Sequence, residues 1–210
     1  MRAFGASLHS RSTRVTALSI APRLAYDVSV AAIKVMTERL ALIAGTAELA
    51  RAAFADRVRF EAMIEARVPE EWPPPLTEDV QEFTALALEA DAILPGWLAW
   101  YFVERTQRIL IGQGGFKGRP NAEGEAEIGY SLIPSFQRKG YATEAAAGLI
   151  HWAFSHEEVK LVTAETLPHL TDSIRVMEKN GMRFLLEDKA RGIVRYGLWR
   201  GDLRQRRSST

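Results

Sequence analysis

Between residues 37 and 203 the spacing of apolar and polar positions changes along the chain, and each change marks an element. Residues 39–44, RLALIA, alternate with a period of two and predict a short strand closed by Gly45. Thr46 stands where a helix cap belongs, ahead of TAELARAAFADRVRFEAMIEA. In that stretch Leu49, Ala53, Phe54, Val58 and Met63 recur at helical spacing, which predicts one helix with those residues on its apolar side. The run VPEEWPPPL ends it, because three successive prolines offer no amide hydrogens and fix φ. Thr77 is expected to cap a second helix, with Glu78 and Asp79 in a first turn where acids suit the dipole. Aromatic and β-branched residues predict strands over 97–104 and 108–116, and a strand over 127–133 ends at Pro134. A long Ala-rich helix follows. Beyond it the pattern gives a strand over 161–166, a helix over 172–180 stopped by Gly181, and strands over 182–186 and 194–199. The order describes an α/β fold in which a mixed sheet is flanked by helices.

Composition narrows this to one soluble domain. The chain has 210 residues, 47% of them hydrophobic and 25% charged, which suits a single core better than two undersized ones. A net charge of +1 gives no field that would draw nucleic acid, and the basic end RQRRSST has no aromatic stacking surface beside it. With no cysteine, disulfides, thiolate metal ligands and a cysteine nucleophile are excluded, which fits a reducing, cytoplasmic setting. His151 and His156 lack partners at ligand spacing, so no metal site is expected. No apolar run reaches the roughly 18 to 20 residues of a membrane-spanning helix. Residues 1–36 hold Arg2, Arg11, Arg14 and Arg23 with no acid before Asp27, a composition shared by transit peptides and by extended starts. The second reading is preferred, and residues 1–36 are taken as an extension, disordered or helical, outside a domain of 37–203. Residues 204–210 form a basic tail.

The chemistry concentrates in PSFQRKGYATEAAAGLIHWAF, residues 134–154. Gln137, Arg138, Lys139, Gly140, Tyr141 and Ala142 join a strand end to a helix start, where backbone amides have no intrahelical partner and bind anions. Gly140 permits close backbone approach, Ala142 stays small, and Arg138 and Lys139 add positive charge. Ala142, Ala146, Leu149, Ile150 and Ala153 share one face of the helix, which would fix those amides against the sheet. A pyrophosphate suits such a site. A nucleotide P-loop is unsupported, since no G-x-x-x-x-G-K-[ST] is present, and GQGGFKG at 112–118 lacks the sixth-position glycine of a dinucleotide fingerprint.

The pattern Q-x-x-G-x-A after EIGYSLIP resembles the acyl-CoA-binding motif of the GNAT N-acetyltransferase superfamily. TERLAL, LIGQGGFKGRP, SIRVMEKNGM and VRYGLWRGD add, in order along the chain, a resemblance to its RimJ/RimL-like branch. The resemblance implies a mostly antiparallel sheet splayed between the strands at 127–133 and 161–166, with acetyl-CoA as cosubstrate in the gap. It implies Arg138, Lys139, Gly140, Tyr141, Ala142 and Thr143 around the pyrophosphate, and main-chain groups of Leu132 and Ile133 along the pantetheine arm.

The same resemblance implies transfer of an acetyl group to a primary amine, a protein N-terminus or a small molecule, by direct attack in a ternary complex. The partner state it permits is monomer or homodimer. Such an amine arrives as an ammonium and needs a base, for which Glu127 is the first candidate and His169 the second. A solvated strand-end carboxylate is the competing reading of Glu127. Ser173 falls where the family places a hydroxyl near the leaving sulfur, though serine also suits a helix start for local reasons. Thr171 stands where the family commonly has asparagine. Tyr130 and Tyr141 are read as packed, and Trp72, Trp97 and Trp100 as core residues or an aromatic acceptor surface. The alternative to an enzyme is a non-catalytic acyl-CoA-binding module with the same pyrophosphate turn.

Overall fold

The computed structural model describes residues 33–75, 77, 80–91 and 95–202, all within the second of two compact units, Ala31–Thr210. The readings of residues 1–32 and of the tail 203–210 lie outside these. The elements are β1 (Lys34–Met36), β2 (Leu40–Ala44), α1 (Ala47–Ala55), α2 (Arg57–Ile64), α3 (Val80–Ala90), β3 (Ala99–Glu104), β4 (Ile109–Phe116) and β5 (Glu125–Leu132). After a 3-10 turn at Pro134–Phe136 come α4 (Tyr141–Ala153), β6 (Leu161–Thr166), α5 (Thr171–Lys179), β7 (Arg183–Asp188) and β8 (Ile193–Trp199). The sheet begins three residues before the boundary drawn at residue 37, since Lys34 to Met36 pair with β2.

The described strands form one eight-stranded sheet in the order β1-β2-β3-β4-β5-β6-β8-β7. Every neighbouring pair is antiparallel except β5 and β6, which are parallel and joined through α4. One face packs Leu42, Phe102, Ile128 and Leu132 against Ala145, Ala146, Leu149 and Ile150 of α4. At Gly148 a Cβ would stand 2.5 Å from Leu42 Cδ1, so glycine lets the helix lie close on β2. The other face packs Ile43, Tyr101 and Val103 against Leu49, Phe60 and Ile64 of α1 and α2.

One predicted helix is two. Asp56 closes α1 through its amide to the Ala52 carbonyl at 2.9 Å and opens α2 by accepting from the Arg59 amide at 3.0 Å. The break resets the apolar side: Phe54 and Val58, expected to be packed, are 49% and 78% exposed, and Phe60 and Ile64 are buried instead. Thr46 caps α1 as expected, accepting from the Leu49 amide at 3.1 Å. Thr77 donates its hydroxyl to the Pro74 carbonyl at 2.6 Å, and Glu78 and Asp79 lie outside the described residues. Among the described residues no helix is long and apolar enough to cross a membrane.

Candidate functional site

The β5–β6 ladder runs only from Glu125↔Leu161 to Ile128↔Ala164. Beyond that pair β5 continues to Leu132 against β4, while β6 continues to Thr166 against β8. The strands therefore part, leaving the β5 edge from Gly129 to Leu132 without a partner on that side. A cavity of about 580 Å³ opens there, lined by the end of β5, residues of the 137–143 loop, and the 169–179 segment. Edge groups that no strand pairs are available to an extended ligand arm.

The loop ends in a backbone suited to anions. Arg138 adopts φ 60° and Gly140 φ 83°, and Gly140 caps α4 with no side chain on the free amides. Acid in the first turn of α4 would oppose an anion, but Glu144 is turned away and its charge is matched. Its carboxylate accepts from Thr37 Oγ1, Arg39 N and Arg39 Nε, each at 2.6 Å, and Arg39 Nη1 also donates to the Lys139 carbonyl at 3.0 Å. The β1–β2 turn thus holds the anion loop in place.

Burial pushes the Glu144 carboxyl up, but the hydrogen bonds from Thr37 and Arg39 outweigh it and hold the group below its ordinary 4.5. A depressed carboxyl stabilises the fold above the unfolded value and loses that contribution as pH falls through the folded one. Stability is therefore expected to drop below about pH 4.5, and Glu144→Gln should flatten that acid limb in urea titrations collected across pH.

Of the residues expected at the cofactor, Leu132, Gln137, Arg138, Gly140, Ala142, Thr143 and Ser173 line the cavity. Three of those expected do not. The Ile133 amide donates to the Ile111 carbonyl at 3.0 Å, and Lys139 Nζ donates to the Ser135 carbonyl at 2.7 Å. Tyr141 is packed beneath the Arg39 guanidinium, 4.3 Å from its ring centroid. Glu127, expected as the base, also stands outside the cavity, on the opposite sheet face, paired with Lys117 and 3.9 Å from Arg195 Nη2. Gln137 Nε2 donates to the Leu132 carbonyl at 2.9 Å, so that carbonyl also has an internal partner.

The cavity is lined by further residues as well. Tyr130 packs on the core yet lines the cavity, with its hydroxyl 3.4 Å from the Ser173 carbonyl. Burial pushes its phenol up, so it stays protonated and can donate. Arg175 and Lys179, one turn apart on α5, add charge; their i, i+4 spacing was the available signal. His169 and Thr171 also line the cavity. Trp97 and Trp100 form no acceptor surface: both pack against Trp152, at 4.7 and 5.1 Å between ring centroids. Trp72 packs instead with Phe60 and Tyr101 on the other sheet face. Among the described residues no histidine or carboxylate group is placed to hold a metal ion.

On that other face Glu125, Glu127 and Glu165 meet Lys117, Arg191 and Arg195. Arg195 Nη2 pairs with Glu125 and lies 3.3 Å from Thr163 Oγ1, while Arg191 Nη2 holds Glu165 at 2.6 Å. Burial pushes the Glu165 carboxyl up, but Arg191, Lys117 and Arg195 together bring it below the ordinary carboxylate range.

Residues 39–183 match the family model described as an acetyltransferase (GNAT) domain. The uncharacterized N-acetyltransferase YjdG of Bacillus subtilis is 38% identical over 95 residues, 45% of this chain and 55% of the relative. The uncharacterized N-acetyltransferase YoaA of the same species is 30% identical over 104 residues, 50% of this chain and 56% of the relative. The chain thus spans about half the length of these curated relatives. Among solved structures, the RimL ribosomal L7/L12 alpha-N-protein acetyltransferase in complex with coenzyme A superposes with a TM-score of 0.59 at 16% identity, covering 81% of this chain and 99% of that one. A GNAT-family acetyltransferase from Bacillus anthracis gives 0.53 at 22% identity, over 80% and 98%. At these identities the likeness shows the fold.

Proposed function

The chain belongs to the GNAT acetyltransferase family, and from that premise we propose that it transfers an acetyl group from acetyl-CoA to a primary amine. The observation that carries the reading is one continuous cleft, in which an uncapped helix start and a positive-φ loop adjoin an unpaired strand edge. The first two suit a pyrophosphate and the third an extended pantetheine arm. Gln137, Arg138, Gly140, Ala142 and Thr143 would hold the anion, with Lys139 and Tyr141 behind them as supports of the loop. Gly129 to Ser131 would pair with the arm more readily than Leu132 and Ile133, whose groups are engaged. When bound, acetyl-CoA supplies an activated acyl group and a thiolate leaving group.

The chain's own residues manage protons. The acceptor arrives as an ammonium, and Glu127, reached directly or through water, takes one proton and frees the nitrogen lone pair. Attack forms the C–N bond, the C–S bond breaks, and the second nitrogen proton leaves as the amide forms. Ser173 or the protonated Tyr130 returns a proton to the departing sulfur, and the released proton reloads that donor. Acceptors of two kinds fit, a protein N-terminus, as in the name of the RimL neighbour, or a small amine.

A non-catalytic acyl-CoA-binding module is the second reading. It is favoured by Glu127 standing outside the cleft with its carboxylate paired to Lys117. Calorimetry with acetyl-CoA, followed by free-thiol release with a panel of amines and N-terminal peptides, separates the two. Binding with amine-dependent thiol release is the expected result. Binding with no release across the panel selects the module, and no binding by folded protein overturns both.

A further inference from the structure

The last strand of the sheet carries a sequence that suits an inner one. β7 reads RFLLED, with Phe184, Leu185 and Leu186 in succession between charged ends. A strand with one face on the core and one in water alternates apolar with polar residues, whereas an unbroken apolar run belongs to a strand covered on both faces. β7 is apolar on both. Phe184 meets the ring of Tyr196 edge-on, 5.8 Å between centroids, and Leu185 lies beside Gly197, where a Cβ would stand 2.7 Å from its Cδ1. Tyr196 and Gly197 are successive residues of β8, so the two side chains sit on opposite sides of the sheet. Yet β7 ends the strand order, paired with β8 alone. Phe184, Leu185 and Leu186 stay 55%, 39% and 43% exposed.

Among the described residues nothing pairs with the outer edge of β7, so its outward amides and carbonyls are open to another strand. Edges are ordinarily guarded by brevity, by proline or by a charge within the strand. β1, at the other end of the sheet, has three residues and begins with Lys34. β7 has six residues and no such guard at its centre. The bulge between Phe184 and Leu186 bends the run but sets no charge in it.

The ends of β7 say which strand fits. Arg183 and Glu187 are exposed, and among the described residues neither has an ion-pair partner. Asp188 is engaged instead, accepting from the Ala190 and Arg191 amides at 3.0 and 3.1 Å. Set antiparallel to itself about a two-fold axis at Leu185, the strand brings Arg183 of each copy opposite Glu187 of the other, and Phe184 opposite Leu186. Every apolar residue then meets an apolar one, and both ion pairs form. Moving the axis to Leu186 would set Arg183 against Lys189, so charge selects the register. We propose that β7 is the docking edge for a second copy of this chain, joining two sheets into one by antiparallel pairing of β7 with β7. The inference stands apart from the acetyl-transfer reading.

Sedimentation of the full chain over about 1–200 µM is expected to show a monomer–dimer equilibrium with Kd of about 10 µM or tighter, as suits a small interface. Arg183→Glu and Glu187→Arg each set like charges across the axis, so each alone should weaken self-association at least about tenfold. Mixed in equal amounts, the two variants should recover a dimer within about threefold of the parent's Kd, because each then faces its opposite. Leu186→Lys, which puts a charge into the apolar run, should be monomeric throughout. Circular dichroism checks that each variant folds; if Leu186→Lys does not, the two charge variants, altered only at exposed ends, decide alone. A dimer that both charge variants keep at parent strength overturns the proposal, as does a mixture no stronger than either variant by itself. A parent chain that is monomeric over the whole range also overturns it, and leaves the edge to a strand of another protein.

Discussion

Glu127→Gln is expected to lower kcat for an alkylamine acceptor by about 10²-fold or more while changing CoA affinity less than about twofold. The amide keeps the shape of the side chain but takes no proton, and Glu127 lies outside the cavity proposed for the donor. The defect should shrink as pH rises toward the amine's own pKa near ~10.4, because free amine then arrives without help. Steady-state kinetics from about pH 6.5 to 10, with melting curves to show that the variant folds, make the measurement. An unchanged kcat across that range removes Glu127 as the base and leaves His169, which lines the cavity, as the next residue to replace.

Gly140→Val should weaken CoA binding by about 10²-fold or more, with the fold intact by circular dichroism. At φ 83° an L-residue is disfavoured by roughly 1–2 kcal/mol. A Cβ there would also stand 3.3 Å from Arg39 Nη2, in the guanidinium that steadies the loop through the Lys139 carbonyl. Relief of either strain turns the helix-start amides off their target. Hydrogen bonds to a charged group are worth about 1.5–3 kcal/mol each, so losing two accounts for the expected factor. CoA affinity within about threefold of the parent would mean that the pyrophosphate is held elsewhere.

The parts of the site visible in the sequence are those built by neighbours along the chain. Gly140, the small residues of α4 and the strand before Pro134 form one local strand-turn-helix unit, and the strand at 161–166 falls where it was predicted. Asp56 hides because an aspartate between two apolar-spaced runs looks the same whether it continues a helix or ends one and starts another. Trp97 and Trp100 were ambiguous because alternation along a strand assigns a face but not what covers it; Trp152, far along the chain, decides the matter. The cluster around Glu127 was out of reach for the same reason. Lys117, Glu165 and Arg195 come from separate stretches of sequence, and only the sheet order β4-β5-β6-β8 makes them neighbours.

The crossover from β5 through α4 to β6 has an evolutionary consequence. A single contiguous segment carries the helix-start loop and both lips of the splay, so the proposed grip on the donor travels as one heritable piece. The chain between α2 and α3 meets that piece from outside the sheet, through Ser131 Oγ to the Pro75 carbonyl at 3.1 Å and Ser135 Oγ to Glu71 at 2.5 Å. On the acetyltransferase reading, drift in residues 68–75 would alter the chain held against Ser131 at the cleft while the donor module is inherited unaltered, a division of labour that would let one scaffold diversify its acceptors.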